Sequence, residues 1–149
     1  MGTTCCPDCA GGKACGKYHV YVIELSEEAA GRRGMPPVDR INHPGRQFYY
    51  VGMTAHEPKC RLRQHQLWVE GAVEFPCSCF GDEGEVMRKF GRDGQPGTRG
   101  NRLAGEFGIE LVWRLVRELN PLSSQQAGFA EEQRLATILR SKGHGVHQA

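Results

Sequence analysis

Long hydrophobic runs are missing from this chain of 149 residues. No apolar stretch approaches the roughly 20 residues that a membrane-spanning helix needs, and residues 1–17 contain no hydrophobic segment of the secretory type. The sequence also lacks the paired carboxylates of glycosidases, a phosphate-binding glycine loop and a nucleophile elbow. We therefore expect a cytoplasmic protein that does not enter membranes. Because the chain is too short for two ordinary domains, we expect a single one.

An excess of one charge is lacking as well, since 19 lysines and arginines are balanced by 17 acidic residues for a net charge of +2. This value neither requires nor excludes a nucleic-acid partner, because local clustering decides such binding. Basic residues do cluster in three stretches, although each stretch alone is also typical of solvated loops and helix faces. The clusters are Arg32, Arg33, Arg40 and Arg46; Lys59, Arg61 and Arg63; and Arg88, Lys89, Arg92, Arg99 and Arg102.

Seven cysteines are an odd number, so a fully paired disulfide framework would leave one thiol over. Without an export signal, metal ligation or reduced thiols are favoured over disulfides. A C-x-x-C spacing near the start predicts a structural zinc that holds a Cys-rich leader, residues 1–17, against a glycine-rich insert. Thiols in a flexible tail are the alternative, and Cys60 is interpreted as a packing residue. The candidate zinc ligands are Cys6, Cys9, Cys77 and Cys79, with Cys5 and Cys15 as alternatives.

The apolar pattern predicts one α+β domain over residues 18–149. β-Branched, aromatic and alternating residues predict strands at 18–25, 47–53 and 109–116, the first of them buried on both faces. Helices are predicted at 59–69, 85–90 and 101–107, and from a cap at Ser123 or Ser124 to about Lys142. Glycines and prolines make 26–45 a long polar loop and 71–98 an irregular insert.

Five polar residues lie where the pattern otherwise predicts packing. Tyr21 is flanked by valines in the first strand, and Tyr50 precedes a Val-Gly pair in the second, where the absent side chain permits close approach. Arg61 and His65 are four residues apart and therefore project from one helix face. Glu132 shares the apolar side of the last helix, where a carboxylate has to be paired, bound to a metal or placed at the stripe's edge.

These residue types meet the requirements of phosphodiester hydrolysis. A carboxylate can hold a divalent cation such as Mg²⁺, and a guanidinium can bind the charge that builds on the phosphorane. A phenol or an imidazole can take a proton from the attacking water. Periodicity does not decide firmly between Glu132 and its neighbour Glu131, although Glu132 has the better spacing to the apolar stripe. Taken singly, each of the five residues is also typical of a buried aromatic or a solvated helix face.

Three segments resemble the GIY-YIG nuclease superfamily. HVY at 19–21 and YVG at 50–52 are similar to the two strands that give the family its name. YVGMTAHEPKCRLRQH, at 50–65, is similar to its second strand, turn and helix, and AEEQRLATILRSKGHGV, at 130–146, to the helix that brings a metal-binding glutamate. The resemblance implies a small three-stranded antiparallel sheet flanked by helices. It also implies cleavage of DNA that depends on Mg²⁺ or Mn²⁺, with RNA as an open alternative.

The resemblance also implies a role for each matching residue. Tyr21 would be the general base or orient the attacking water, and Tyr50 would contact the scissile phosphate. Arg61 would stabilise the transition state, while His65 would relay a proton or contact the phosphate. Glu132 would be the only protein ligand of the metal.

The sequence departs from the family pattern at three points. His19 stands at the first glycine, the loop between the tyrosines is longer than the usual hairpin, and His147 stands near the place of a late asparagine. The leader and the insert fall outside the resemblance. The competing prediction is therefore a catalytically inactive, zinc-stabilised module that binds nucleic acid or protein on the same fold. In the nuclease, the basic loop after the first strand and residues 88–102 would follow the phosphates.

Overall fold

The structure, a computed structural model, describes residues 18–77, 86–92 and 97–149. The predicted leader and parts of the predicted insert lie outside these residues. The strands are β1 (His19–Leu25), β2 (Phe48–Thr54), β3 (Glu74–Cys77), β4 (Val86–Lys89), β5 (Gly108–Leu111) and β6 (Gly145–Gln148). The helices are α1 (Pro58–Val69), α2 (Arg102–Phe107) and α3 (Gln125–Ser141). The predicted α+β class is confirmed, and none of the described helices has a stretch that is long and apolar enough to cross a membrane.

The main sheet has four strands in the order β5-β1-β2-β6. β1 and β2 are antiparallel as predicted, with Tyr21 opposite Gly52 and Ile23 opposite Tyr50. β6 adds to the other edge of β2 in the parallel direction, which pairs Tyr50 with His147. The prediction of a three-stranded antiparallel sheet is therefore wrong. The missed strand is four residues long and polar at its end, so the sequence carries no strand periodicity there.

Helices cover both faces of this sheet and create two hydrophobic cores. One core lies between the sheet and α3, where Leu135 and Leu139 pack against Val22 and Val51. The other lies between the sheet and α2, and it contains both Tyr21 and Tyr50. β1 faces both cores, which confirms that it is buried on both sides.

The strand predicted at 109–116 is only partly confirmed. β5 pairs with β1 from Ile23 to Leu25 and ends at Leu111, and a short 3₁₀ helix, Trp113–Leu115, follows. The physical reason is that the next part of the β1 edge is already occupied. The Asn120 side chain accepts from the Val20 N–H at 2.8 Å and donates to the Val20 carbonyl at 2.7 Å, as a neighbouring strand would.

The insert is less irregular than predicted. β3 and β4 form an antiparallel hairpin, so the helix predicted at 85–90 is wrong over β4. Phe75, Cys77 and Phe90 make a small third core against α1, where Leu67 and Trp68 cover them. The pairing of β3 with β4 and the packing of this hairpin against α1 determine the two strands, because strands of four residues have little periodicity of their own in the sequence.

The remaining helices agree with the sequence. α1 follows the prediction to within one residue, with Pro58 at its first turn. Asn101 caps α2 by accepting from the Ala104 N–H, and Ser124 caps α3 by accepting from the Ala127 N–H. These helices carry the predicted site residues to the two faces of the sheet.

Candidate active site

Three of the five predicted residues form one buried cluster between the sheet and α1. The register of β1 and β2 brings the rings of Tyr21 and Tyr50 to a centroid separation of 6.0 Å. His65 lies across from them, with its ring 5.2 Å from that of Tyr50. The Tyr21 hydroxyl and the His65 Nε2 are 2.9 Å apart, which is hydrogen-bond distance. None of the three is more than 2% exposed.

A second hydrogen bond fixes the protonation of His65. The backbone N–H of Asn101 donates to the His65 Nδ1 at 2.8 Å, so Nδ1 carries no proton. Burial, and then the nearby Arg61 charge, lower the pKa of His65 to about 2, which keeps the ring neutral. The single ring proton must therefore be on Nε2, and that group donates to the Tyr21 hydroxyl oxygen.

Tyr21 is subject to opposing influences. Burial raises the pKa of its phenol, whereas the Arg61 charge and hydrogen bonding with Tyr50 and Arg61 lower that pKa. Burial also raises the pKa of Tyr50, as does the neighbouring Tyr21. The two phenols differ in one respect: the Arg61 charge favours ionisation of both, but hydrogen bonds lower the pKa of Tyr21 only.

Arg61 lies beside this cluster, as the four-residue spacing from His65 predicts. Its Nη1 donates to the Gln64 Oε1 at 2.9 Å, and its Nη2 donates to the Arg99 carbonyl at 2.9 Å. Its charge acts on the pKa values of Tyr21, Tyr50 and His65. The guanidinium is therefore held in a defined orientation near both phenols.

Glu132 comes from α3, on the opposite face of the sheet. It is 3% exposed, and its charge raises the pKa values of Tyr21 and Tyr50. Burial raises the pKa of Glu132 itself to about 7, although a hydrogen bond with Gln148 opposes this. Glu131 instead lies 2.9 Å from the Arg134 guanidinium as a surface pair. Of the two candidates, Glu132 is the buried carboxylate.

Two residues outside the five predicted ones complete the site. The His147 Nδ1 donates to the Gly34 carbonyl at 3.1 Å, so its Nε2 accepts from the Asn101 side-chain amide at 3.3 Å. The His147 ring lies 5.7 Å from that of Tyr50. Asn101 could have been found as the cap of a predicted helix, but its bond to His65 could not, because 36 residues separate them.

A basic cavity of about 380 Å³ opens next to the cluster. It shares Asn101 and His147 with the site, and its other lining residues include Arg32, Arg33 and Arg102. Other residues of the predicted basic clusters contact different parts of the fold. Arg40 is 2.8 Å from Glu27, and Arg92 stacks 3.9 Å from the centre of the Trp68 ring. Only some residues of the predicted basic clusters therefore line the cavity.

Cysteine and histidine ligands meet at a second place, near the start of α1. One ligand atom from each of His56, Cys60 and Cys77 lies within 4.8 Å of the other two, as a metal site requires. Cys60 also contacts the small third core, in agreement with its interpretation as a packing residue. Of the predicted zinc ligands, only Cys77 is described; Cys6, Cys9 and Cys79 lie outside the described residues.

No protein-family model matches the chain, and neither a curated protein nor a solved structure matches it significantly. The resemblance to GIY-YIG nucleases thus stays a prediction, and any function has to be argued from the site itself.

We predict that replacing Gly52 by alanine destabilises the protein. A Cβ there would lie 2.6 Å from the Tyr21 hydroxyl and 2.7 Å from its Cζ, and the buried ring has little room to move. Overpacking of this kind costs about 1–3 kcal/mol in the free energy of unfolding. Urea denaturation measures the loss, with Gly45→Ala as the matched control because nothing lies within 4 Å of its Cβ position. Equal stability of the two variants would contradict the prediction.

A second prediction concerns the pH dependence of stability in the presence of a chelator. The unfolded Glu132 ionises near its ordinary pKa of 4.5 and the folded one near 7, so between these values the unfolded state loses the proton first. The contribution of Glu132 to stability therefore falls as the pH rises from 4.5 to 7. Since one pKa unit is worth about 1.4 kcal/mol, the loss reaches about 3 kcal/mol.

Glu132→Gln removes this titration while preserving the side-chain shape. We expect the variant to match the wild type near pH 4 and to be more stable at pH 8, by up to about 3 kcal/mol. Glu131→Gln is the surface control and should change stability by no more than about 0.5 kcal/mol. Parallel pH profiles of wild type and Glu132→Gln would show that the buried carboxyl does not have the raised pKa.

Proposed function

We propose that the chain is a metal-dependent endonuclease that hydrolyses phosphodiester bonds in DNA with the chemistry of the GIY-YIG nucleases. The observation that carries this proposal is the hydrogen bond from the neutral His65 ring to the Tyr21 hydroxyl, in a cluster with Tyr50 and Arg61. Burying two phenols and an imidazole beside a guanidinium is costly, and apolar residues would pack there at lower cost. Clusters of buried groups with strongly shifted pKa values are typical of functional sites.

Tyr21 is the group best placed to orient or deprotonate the attacking water. Its oxygen accepts from His65, and hydrogen bonding with Tyr50 and Arg61 further favours the phenolate. Glu132 opposes this, because its negative charge raises the pKa of Tyr21. Neutralising the Glu132 charge therefore lowers the pKa of Tyr21 and increases the fraction of the phenol that is ionised and able to accept a proton.

Glu132 fits the role of a ligand for a hard cation. It offers oxygen donors, it is buried, and in the described part of the chain no basic side chain forms an ion pair with it. Mg²⁺ is commonly held by one or two carboxylates while it keeps several waters. When bound there, Mg²⁺ or Mn²⁺ would polarise a phosphate oxygen and stabilise the leaving oxyanion.

The basic cavity supports a nucleic-acid substrate. Arg32, Arg33 and Arg102 can hold phosphates by charge-assisted hydrogen bonds that do not depend on sequence. Glu106 also lines the cavity, 3.8 Å from Arg102, and a phosphate would compete with it for that arginine. Arg61 is then the cation nearest the phenols, where it would bind the charge that develops on the phosphate. We propose DNA as the substrate; RNA offers the same phosphate chemistry and is the comparison in the assay.

One observation favours a second candidate, a binding module without catalysis. Tyr21, Tyr50, His65 and Glu132 are all at most 3% exposed, and a scissile phosphate has to reach at least one phenol. Phosphates could instead bind at the arginines of the cavity and go no further. An assay that scores cleavage separately from binding distinguishes the two candidates.

We predict that the purified chain nicks or linearises supercoiled plasmid in the presence of Mg²⁺ or Mn²⁺ and not in the presence of a chelator. Glu132→Ala should abolish cleavage because it removes the proposed metal ligand. Glu131→Ala is the matched control, since this neighbour pairs with Arg134 at the surface, and it should cleave like the wild type. Binding of plasmid without cleavage under all conditions would favour the binding module, and cleavage by Glu132→Ala would refute the metal assignment.

We further predict that Arg61→Ala lowers the cleavage rate on the order of a hundredfold, as the loss of a transition-state donor does. Single-turnover kinetics with saturating enzyme measures the chemical step apart from binding. Arg63→Ala is a suitable control, because this residue shares the helix but is exposed. A full rate in a folded Arg61→Ala variant would remove Arg61 from the mechanism.

A further inference from the structure

We infer that His56, Cys60 and Cys77 form a zinc site that joins the β3–β4 hairpin to the start of α1. This site differs from the zinc site predicted from the sequence, which contains neither His56 nor Cys60. The three ligands come from three separate parts of the fold: the turn after β2, the first turn of α1 and the last residue of β3. A metal bound here would therefore add a further connection between elements that already meet at the small third core.

The distances agree with a shared tetrahedral ion. Zinc–sulfur bonds of about 2.3 Å and zinc–nitrogen bonds of about 2.0–2.1 Å place a sulfur and a nitrogen ligand about 3.5 Å apart and two sulfurs about 3.8 Å apart. The Cys77 Sγ and the His56 Nδ1 are 3.5 Å apart, and the three ligand atoms all lie within 4.8 Å of one another. The three ligand atoms are therefore close enough together to share one ion after a limited adjustment of the side chains.

The backbone holds these ligands in place before any metal arrives. The His56 N–H donates to the Thr54 Oγ1 at 2.9 Å, which fixes the turn that carries the imidazole. Cys77 is 2% exposed at the end of a paired strand, and Cys60 lies in a helix. Cys60 and Cys77 are not joined by a disulfide. A site built from fixed elements loses little conformational freedom on binding.

The ligand chemistry selects the metal. Two thiolates and an imidazole favour zinc over Mg²⁺ or Ca²⁺, which prefer oxygen ligands. The site therefore differs in its ligand atoms and in its metal from the proposed magnesium site at Glu132. Three protein ligands leave the fourth position of a tetrahedral ion to another donor.

A chain of two hydrogen bonds connects this site to Arg61. The Gln64 Nε2 donates to the Cys60 Sγ at 3.3 Å, and the Gln64 Oε1 accepts from the Arg61 Nη1 at 2.9 Å. A zinc-bound Cys60 is a thiolate, which can only accept hydrogen bonds. The buried Gln64 amide must therefore point its nitrogen towards Cys60 and its oxygen towards Arg61. Gln64 is therefore a positioning residue for the guanidinium, an assignment that rests on the proposed nuclease function.

Metal analysis of the full chain, purified and refolded with zinc under reducing conditions, tests the site without any activity assay. We expect His56→Ala and Cys60→Ser each to hold one equivalent of zinc less than the wild type. His43→Ala is the matched control, because this histidine is exposed and does not belong to the group of three ligands, and it should keep the wild-type content. Full zinc content in folded His56→Ala and Cys60→Ser would overturn the proposal.

If these variants do not fold, Co²⁺ bound to the full chain with Cys5, Cys6, Cys9 and Cys15 replaced by serine provides the second test, because those cysteines could give the same absorption. A tetrahedral site with two thiolates gives intense visible bands and sulfur-to-cobalt charge-transfer absorption. This absorption should appear with one equivalent of Co²⁺ and be displaced by Zn²⁺. Octahedral Co²⁺ spectra without charge transfer would overturn the proposal.

The link to Arg61 has its own test. Gln64→Leu should keep the zinc and the cobalt spectrum of the wild type, while cleavage falls roughly 10- to 100-fold, as for loss of a group that orients a metal-linked residue. Loss of zinc in Gln64→Leu, or full cleavage, would contradict the positioning role. If neither the wild type nor Gln64→Leu cleaves DNA, the proposed function fails. The zinc analysis still decides whether the metal site exists.

Discussion

The hydrogen bond from the Asn101 backbone to the His65 Nδ1 determines the chemistry of the whole cluster. If Nδ1 carried the proton, Nε2 would be an acceptor and Tyr21 would have to donate to it. With Nδ1 occupied, Nε2 donates and the Tyr21 oxygen accepts, which is the arrangement that favours a phenolate. Asn101 also caps α2 and donates to His147. One residue thus connects α1, α2 and β6 around the two phenols.

Arg61 connects this cluster to the rest of the molecule. Apart from its hydrogen bonding with Tyr21, it donates to Gln64, beside the cysteine and histidine ligands, and to the carbonyl of Arg99, just before α2. The guanidinium is therefore oriented by two elements that do not belong to the sheet. The sulfur and nitrogen ligands of Cys60, Cys77 and His56 favour zinc, whereas the Glu132 carboxylate favours Mg²⁺ or Mn²⁺. The two proposed sites therefore need not compete for one ion.

The sequence was sufficient where long segments carry their own pattern. β1 and β2 are rich in β-branched and aromatic residues, α1 begins at a proline, and α3 has a serine cap. The four-residue spacing of Arg61 and His65 correctly predicts that they lie together. Short elements defined by their partners were missed, namely β6, the β3–β4 hairpin and the end of β5. The His56 group was missed for a related reason: its ligands are brought together by the hairpin, which the pattern of residues 71–98 does not reveal.

The burial of the cluster sets a physical condition on any catalytic role. Among the described residues of the site, His147 lies both beside Tyr50 and on the wall of the basic cavity. It belongs to β6, a four-residue strand at the edge of the sheet, and its bond to Asn101 is long at 3.3 Å. Edge elements with few partners open locally at a lower free energy than the core. Local opening at His147 would therefore give phosphates in the cavity a path to Tyr50, a step that a nuclease needs and a binding module does not.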